Sequence, residues 1–204
     1  WMKIFPKKAR KELTSLYTNW LEHKGVYEDY RKALVKLYEQ YIKNCRKEDV
    51  LNASKIVIPF HKDRTYVFAN NFIKKFQREN YSIIAISGSP SEIVEEYNKY
   101  LKLDAVFGSV YEINEKGYYT GKAIFEPTKD KSQVARQFMV ENQLTLKESY
   151  AIGDTESDVK ILEIVENPIA FNPNFNLKTI AEERGWRIVV EKKDVIYEIN
   201  NPSG

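Results

Sequence analysis

Two aspartates, Asp154 and Asp158, stand four residues apart in Ala151-Ile-Gly-Asp-Thr-Glu-Ser-Asp158. A short apolar run leads into them, and Val159-Lys-Ile-Leu-Glu-Ile-Val165 follows with apolar residues at helical spacing. A strand that ends in Gly-Asp and turns at once into a helix presents its carboxylate at the C-terminal edge of a sheet, where open α/β folds bind ligands. A hard cation such as Mg²⁺ is held by one or two carboxylates there, with phosphate and water completing its shell. The same residues have a purely local use. Thr155 and Asp158 are spaced as a capping box, and Gly-Asp is a common turn pair.

Two further positions could serve an anion. In Ser87-Gly88-Ser89-Pro90-Ser91-Glu92 a strand end meets a helix start. Ser89 is expected at the N-cap, Pro90 at the first helical position and Glu92 as the reciprocal capping acid. Free backbone N–H groups and the helix dipole favour an anion beside Ser87 and Gly88. The glycine lets a phosphate approach the backbone, and the hydroxyl adds a hydrogen bond. A well-capped helix with no ligand would read the same way. Lys131 opens a helix after Glu126-Pro-Thr-Lys-Asp130. A lysine there runs against the macrodipole, as a lysine balancing phosphate and carboxylate charge would, and as a solvated surface lysine would too. Lys129 is the rival position.

The elements that must hold these residues fall into two textures. From about Lys8 to Gln77 the chain reads as helix, with apolar stripes through Leu13–Leu21, Tyr30–Ile42, Val50–Ile58 and Val67–Phe76, broken by Gly25 and Pro59. Aromatic stripes of this kind are core. From Tyr81 strands and helices alternate. Strands are expected near 81–87, 104–110, 149–153, 168–171 and 186–190, helices at 91–102, 131–142, 156–165 and 176–184, and a hairpin over 111–125 around Glu115-Lys-Gly117. Alternation implies right-handed crossovers and a mostly parallel sheet. The expected fold class is α/β: a Rossmann-like, mostly parallel sheet flanked by helices, with a small α-helical cap. The expected division is a first core strand, or its remnant, at 1–7, a cap at 8–76, an α/β core at 77–192 and a polar tail at 193–204.

Composition narrows the function. The 204 residues are 43% hydrophobic and 30% charged, enough for one medium domain or a core with an appendage. Net charge is +3 from 32 basic and 29 acidic side chains, which gives no argument for nucleic acid or a membrane surface. Cys45 is the only cysteine, so there is no intrachain disulfide and a reducing, cytoplasmic setting is expected. His23 and His61 with one cysteine cannot build an all-protein zinc site. No run of about 18 apolar residues suggests a membrane span, and no apolar leader is seen in Trp1–Leu21.

The order of Ser87-Gly-Ser-Pro90 after a strand, a lysine opening a helix, and Gly153-Asp-x-x-x-Asp158 resembles the haloacid dehalogenase (HAD) superfamily, in its phosphoserine-phosphatase-like branch. Tyr119-Thr-Gly-Lys122, Asn172-Pro173 and Glu182-Glu-Arg-Gly-Trp186 fit it too, and the likeness covers about residues 60 to 190. The resemblance implies a Mg²⁺-dependent phosphomonoester hydrolase acting on a small phosphorylated metabolite. Ser87 and Gly88 would bind the phosphoryl group. Lys131 would neutralise it and orient the nucleophile. Asp154 would hold Mg²⁺, with Asp158 as ligand or orienter. The implied chemistry is phosphoryl transfer to an aspartate and then hydrolysis, a reaction that depends on positioning and charge neutralisation.

One part of that pattern is missing. The family's first motif, Asp-x-Asp-Gly-Thr after the first strand, occurs nowhere in the 204 residues, and the first aspartate is Asp29. Two explanations compete: the motif belongs to sequence ahead of Trp1, or Met2–Phe5 fills the central strand and the nucleophile has been lost. An absent central strand would leave two unpaired edges in the core, which favours Met2–Phe5. Either way little or no phosphatase activity is expected of these residues alone, and the alternative function is a non-catalytic binder of phosphate or a phosphorylated ligand. Arg64 is a candidate partner for a substrate carboxylate.

Overall fold

The computed structural model describes residues 7–22, 24–25 and 27–199. The expected strand at Met2–Phe5 and the end of the expected tail, Asn200–Gly204, lie outside them. Contacts divide the chain into two units, residues 1–56 with 109–125, and residues 57–108 with 126–204.

The first unit carries α1 (Lys7–Leu21), α2 (Tyr27–Ile42) and α3 (Lys47–Val57, whose last residue opens the second unit). Leu13 of α1 and Leu37 of α2 are buried against each other's helices, with Tyr30, Ala33 and Leu34 beside them. The stripe spacing therefore does the work expected of it. Skipping ahead in the chain, this unit also holds a hairpin. Its turn is shaped by Asn114, whose Oδ1 accepts from the N–H groups of Lys116 and Tyr118, both at 3.0 Å. Ile42, Tyr111 and Tyr119 form the core between helix and hairpin. Gly121 has φ +85°, and a Cβ there would lie 2.6 Å from the Glu39 carbonyl oxygen, so only glycine fits.

The second unit begins with a 3-10 turn (Ile58–Phe60) and α4 (Val67–Arg78), followed by β1 (Ile84–Pro90) and α5 (Ser91–Leu101). β2 (Ala105–Ile113) passes from this unit into the other, where it pairs antiparallel with β3 (Tyr119–Phe125). One continuous strand thus replaces the separate strand and hairpin arm expected at 104–110 and 111–113. After a 3-10 turn (Pro127–Lys129) come α6 (Lys131–Glu141), β4 (Tyr150–Gly153), a 3-10 turn (Glu156–Asp158), α7 (Val159–Leu162), β5 (Asn167–Phe171), α8 (Phe175–Glu183), β6 (Arg187–Lys192) and β7 (Val195–Ile199).

Two sheets result among the described residues, ordered β1-β2-β3 and β4-β5-β6-β7. β4, β5 and β6 are parallel, and β7 returns antiparallel to β6. Alternation along β5 and β6 builds two cores. Ala170 and Ile188 face Leu162, Leu177 and Ala181 of α7 and α8. Ile169, Phe171 and Val189 face Phe68 and Phe72 of α4. Helices therefore cover both faces of a parallel sheet, as an α/β fold requires.

Three boundaries differ from expectation. The cap does not run to residue 76: α4 belongs with the sheet, because Phe68 and Phe72 pack on it and Glu191 of β6 caps it, accepting from the N–H groups of Val67 and Phe68, both at 2.8 Å. The 111–125 hairpin belongs with the helices rather than with the α/β core. The tail from 193 is not plain tail, since Val195–Ile199 pairs along β6. Its two-residue turn, Lys193-Asp194, lacks the glycine or asparagine that marks such turns, and Lys193 takes φ 57° without them.

Leu177 is fully buried and Phe175, two residues before it, is 82% exposed. Leu177→Ala should therefore cost about 2–5 kcal/mol in urea denaturation, and Phe175→Ala within about 0.5 kcal/mol. Equal effects would contradict the packing described.

Candidate active site

β4 ends at Gly153, and the chain turns into the Glu156–Asp158 turn and α7 within a few residues. The capping box is formed: Thr155 is the N-cap, and its N–H donates to Asp158 Oδ2 at 3.2 Å. The N–H of Asp154 donates to the same oxygen at 3.0 Å. Asp158 Oδ1 accepts from the Lys131 ammonium. The local and the chemical uses of Asp158 are therefore not rivals. One oxygen closes the loop that carries Asp154, and the other holds the lysine.

Gly153 makes this possible. A Cβ at residue 153 would stand 2.7 Å from Asp158 Cγ and 2.9 Å from Oδ2. Any side chain there would push the Asp158 carboxylate away.

Lys131 reaches Asp158 from the start of α6. Asp130 is the N-cap of that helix, and its Oδ1 accepts from Ser132 N (3.1 Å), Ser132 Oγ (2.6 Å) and Gln133 N (3.1 Å). The Lys131 and Asp158 side chains are 15% and 4% exposed, whereas Lys129 is 76% exposed and pairs with Glu126. The structure thus brings Lys131, not Lys129, to the aspartates. Sequence reasoning passed over Asp130, although an aspartate just before a predicted helix is an N-cap signal.

Ser87 and Gly88 lie near the end of β1, and β1 packs against the Pro127–Lys129 turn that leads into Lys131. Ser87 Oγ accepts from Ser89 N at 3.1 Å. The expected cap at Ser89 does not form. The strand continues through Pro90, which is itself the N-cap without a side-chain bond, and Glu92 is buried. Proline biases the residue before it toward extended backbone, so Ser89 stays in the strand. Arg64 is exposed.

The electrostatics follow from these contacts. The Asp154 carboxyl is held above its ordinary value, by desolvation first and by the Asp158 charge second, with Lys131 pulling the other way. Its side chain still opens to solvent. Asp130 is held well below the usual carboxylate range by the Ser132 hydroxyl, then Lys160 and the Gln133 N–H. Glu156 is also lowered, chiefly by Asn174. The N–H of Asn174 donates to the Asp154 carbonyl at 2.8 Å, tying the loop after β5 to the loop after β4.

Among the described residues no group of three or more His, Cys, Asp or Glu side chains gathers as a metal cage. A solvent-open carboxylate beside a second carboxylate suits Mg²⁺, which keeps several waters and takes one or two carboxylates plus phosphate oxygens. A cavity of about 590 Å³ lies elsewhere: Tyr150, Asn167 and Arg187 line it at the starts of β4, β5 and β6, the rim opposite Asp154.

Residues 3–163 match the sequence model of the haloacid dehalogenase-like hydrolases. The chain is 29% identical over 127 residues to an inhibition of morphological differentiation protein of Streptomyces azureus, covering 61% of the chain and 45% of that protein. It is 31% identical over 105 residues to phosphoserine phosphatase SerB1 of Mycobacterium tuberculosis, covering 50% of the chain and 34% of that enzyme. The chain thus spans less than half the length of these two relatives. A solved phosphoserine phosphatase, a phospho-aspartyl intermediate analogue, superimposes with TM-score 0.61 at 21% identity, covering 95% of this chain and 87% of the other. At that identity the superposition shows the shared fold.

Removing one partner of a buried pair strands the other charge. Lys131→Met should destabilise the protein by about 3–5 kcal/mol in denaturant, and Lys129→Met by less than about 1 kcal/mol. Indistinguishable losses would contradict the Lys131–Asp158 pairing. A carboxyl lowered in the folded state adds stability above its unfolded value, and that stability is lost as pH falls through the folded value. The melting-temperature gap between the parent and Asp130→Asn should therefore narrow as pH drops from about 5 to about 2. A gap constant over that range would contradict the assignment.

Proposed function

The chain belongs to the haloacid dehalogenase-like hydrolase family, and on that premise we propose that it is built as a Mg²⁺-dependent phosphomonoester hydrolase of the phosphoserine-phosphatase-like kind. The observation that carries this reading is the Asp158 carboxylate, shared between the Lys131 ammonium and the backbone of the Asp154 loop. That arrangement sets a cation and an open carboxylate side by side at the carboxyl end of a parallel strand.

Each residue has a role in this reading. Lys131 neutralises a phosphoryl oxygen. Ser87 and Gly88 receive the phosphoryl group at the end of β1. Asp154 holds Mg²⁺. Asp158 acts as the orienter rather than a direct ligand, because both of its oxygens are engaged. Mg²⁺, when bound, supplies neutralisation of the phosphoryl charge. The substrate is a small phosphorylated metabolite, and the setting is cytoplasmic, in keeping with the single cysteine. No helix among the described residues is long and apolar enough to cross a membrane.

The nucleophile is the missing part. Carboxylate attack needs an aspartate from the first motif, and the 204 residues contain no Asp-x-Asp-Gly-Thr. We propose that these 204 residues by themselves bind phosphate and Mg²⁺ with little or no turnover.

Calorimetric titration with Mg²⁺ and inorganic phosphate should show binding that Asp154→Asn abolishes. Phosphate release from phosphoserine or p-nitrophenyl phosphate should stay at background. An absence of any binding would overturn the site. Robust turnover abolished by Asp154→Asn would overturn the loss of activity.

A further inference from the structure

Asp130 and Lys131 are neighbours, and Asp158 and Lys160 are two apart. The structure pairs them crosswise. Lys131 donates to Asp158, and Lys160 donates to Asp130 Oδ2 at 2.9 Å. Each helix start gives one carboxylate and one ammonium to the other. The two oxygens of Asp130 are used separately, Oδ1 for capping α6 and Oδ2 for Lys160. Asp130 is thus fixed to the first turn of α6 on one side and to α7 on the other.

α6 and α7 are packed together, and a second ion pair between them restricts any pivot about the first. Lys131 needs the constraint. Lysine is a point charge on a flexible stem, so its aim depends on where its backbone is held. We propose that the Asp130–Lys160 pair is a positioning device for Lys131: it sets the approach of α6 to the Asp154–Asp158 loop and keeps the Lys131 ammonium on the site. The proposal rests on the reading of Lys131 as the residue that neutralises phosphate. The Lys160 and Asp130 side chains are 61% and 32% exposed. Exposed pairs contribute little to stability, so this one acts through placement. Lys160 itself makes no bond to Asp154 or Asp158 among the described contacts.

Two variants isolate the pair. Asp130→Asn keeps a good N-cap while removing the charge that Lys160 meets. Lys160→Met leaves the cap untouched. Titrated with inorganic phosphate in the presence of Mg²⁺, each should bind about tenfold more weakly than the parent, the size expected for groups that orient a site without touching the ligand. The double variant should bind no more weakly than either single one, and Lys160→Arg should recover most of the affinity. Unchanged affinity in Lys160→Met, or no recovery with arginine, would overturn the proposal. A second measurement needs no ligand. The melting-temperature loss caused by Lys131→Met should be smaller in a Lys160→Met background than in the parent, because the unclamped ammonium has already drifted from Asp158. Equal losses would overturn the clamp. A parent that binds no phosphate would overturn the functional reading instead, and this cycle would still decide the clamp.

Discussion

A single buried carboxylate organises the candidate site of this protein. Asp158 sits at 3% relative exposure and divides its two oxygens between a lysine from one helix start and two backbone N–H groups from the preceding loop. Isolated, such a charge would be costly to bury. Surrounded by an ammonium and backbone donors, it becomes the fixed point from which Asp154 and Lys131 are placed. The features around it serve that point: Gly153 vacates the space it fills, Thr155 closes the box, and α6 is capped so that Lys131 starts in the right place.

The rest of the α/β unit is the frame that delivers this carboxylate. β4, β5 and β6 stay parallel because α7 and α8 bury Leu162, Leu177 and Ala181 on one face while α4 buries Phe68 and Phe72 on the other. β1 and β4 each have one strand neighbour among the described residues. Ile152, in the middle of β4, is 37% exposed.

Much of this was legible in the residue order. Gly-Asp at a strand end, Thr-x-x-Asp spacing and a lysine at a helix start are local signals with physical causes, and all meet in one place. The choice between Lys129 and Lys131 was not legible, because both stand at the same helix entrance and only the three-dimensional path decides which faces Asp158. The cap at Ser89 failed because a local motif competed with proline's hold on the residue before it. β7 was hidden by a turn made from lysine and aspartate, and the cap boundary by α4, whose aromatic stripe looks like those before it yet packs on a sheet that comes about a hundred residues later. The Asp130–Lys160 pair is of the same kind: its members are 30 residues apart, and nothing in the spacing couples them.

The most direct measurement concerns the Lys131 ammonium itself. In solution NMR, a lysine ammonium held by a buried carboxylate exchanges its protons slowly enough to be seen, whereas a solvated one does not. At low temperature and near-neutral pH the protein should show a protected ammonium signal assignable to Lys131, absent in Asp158→Asn and never matched by Lys129. A Lys131 ammonium that exchanges as fast as that of Lys129 would contradict the account.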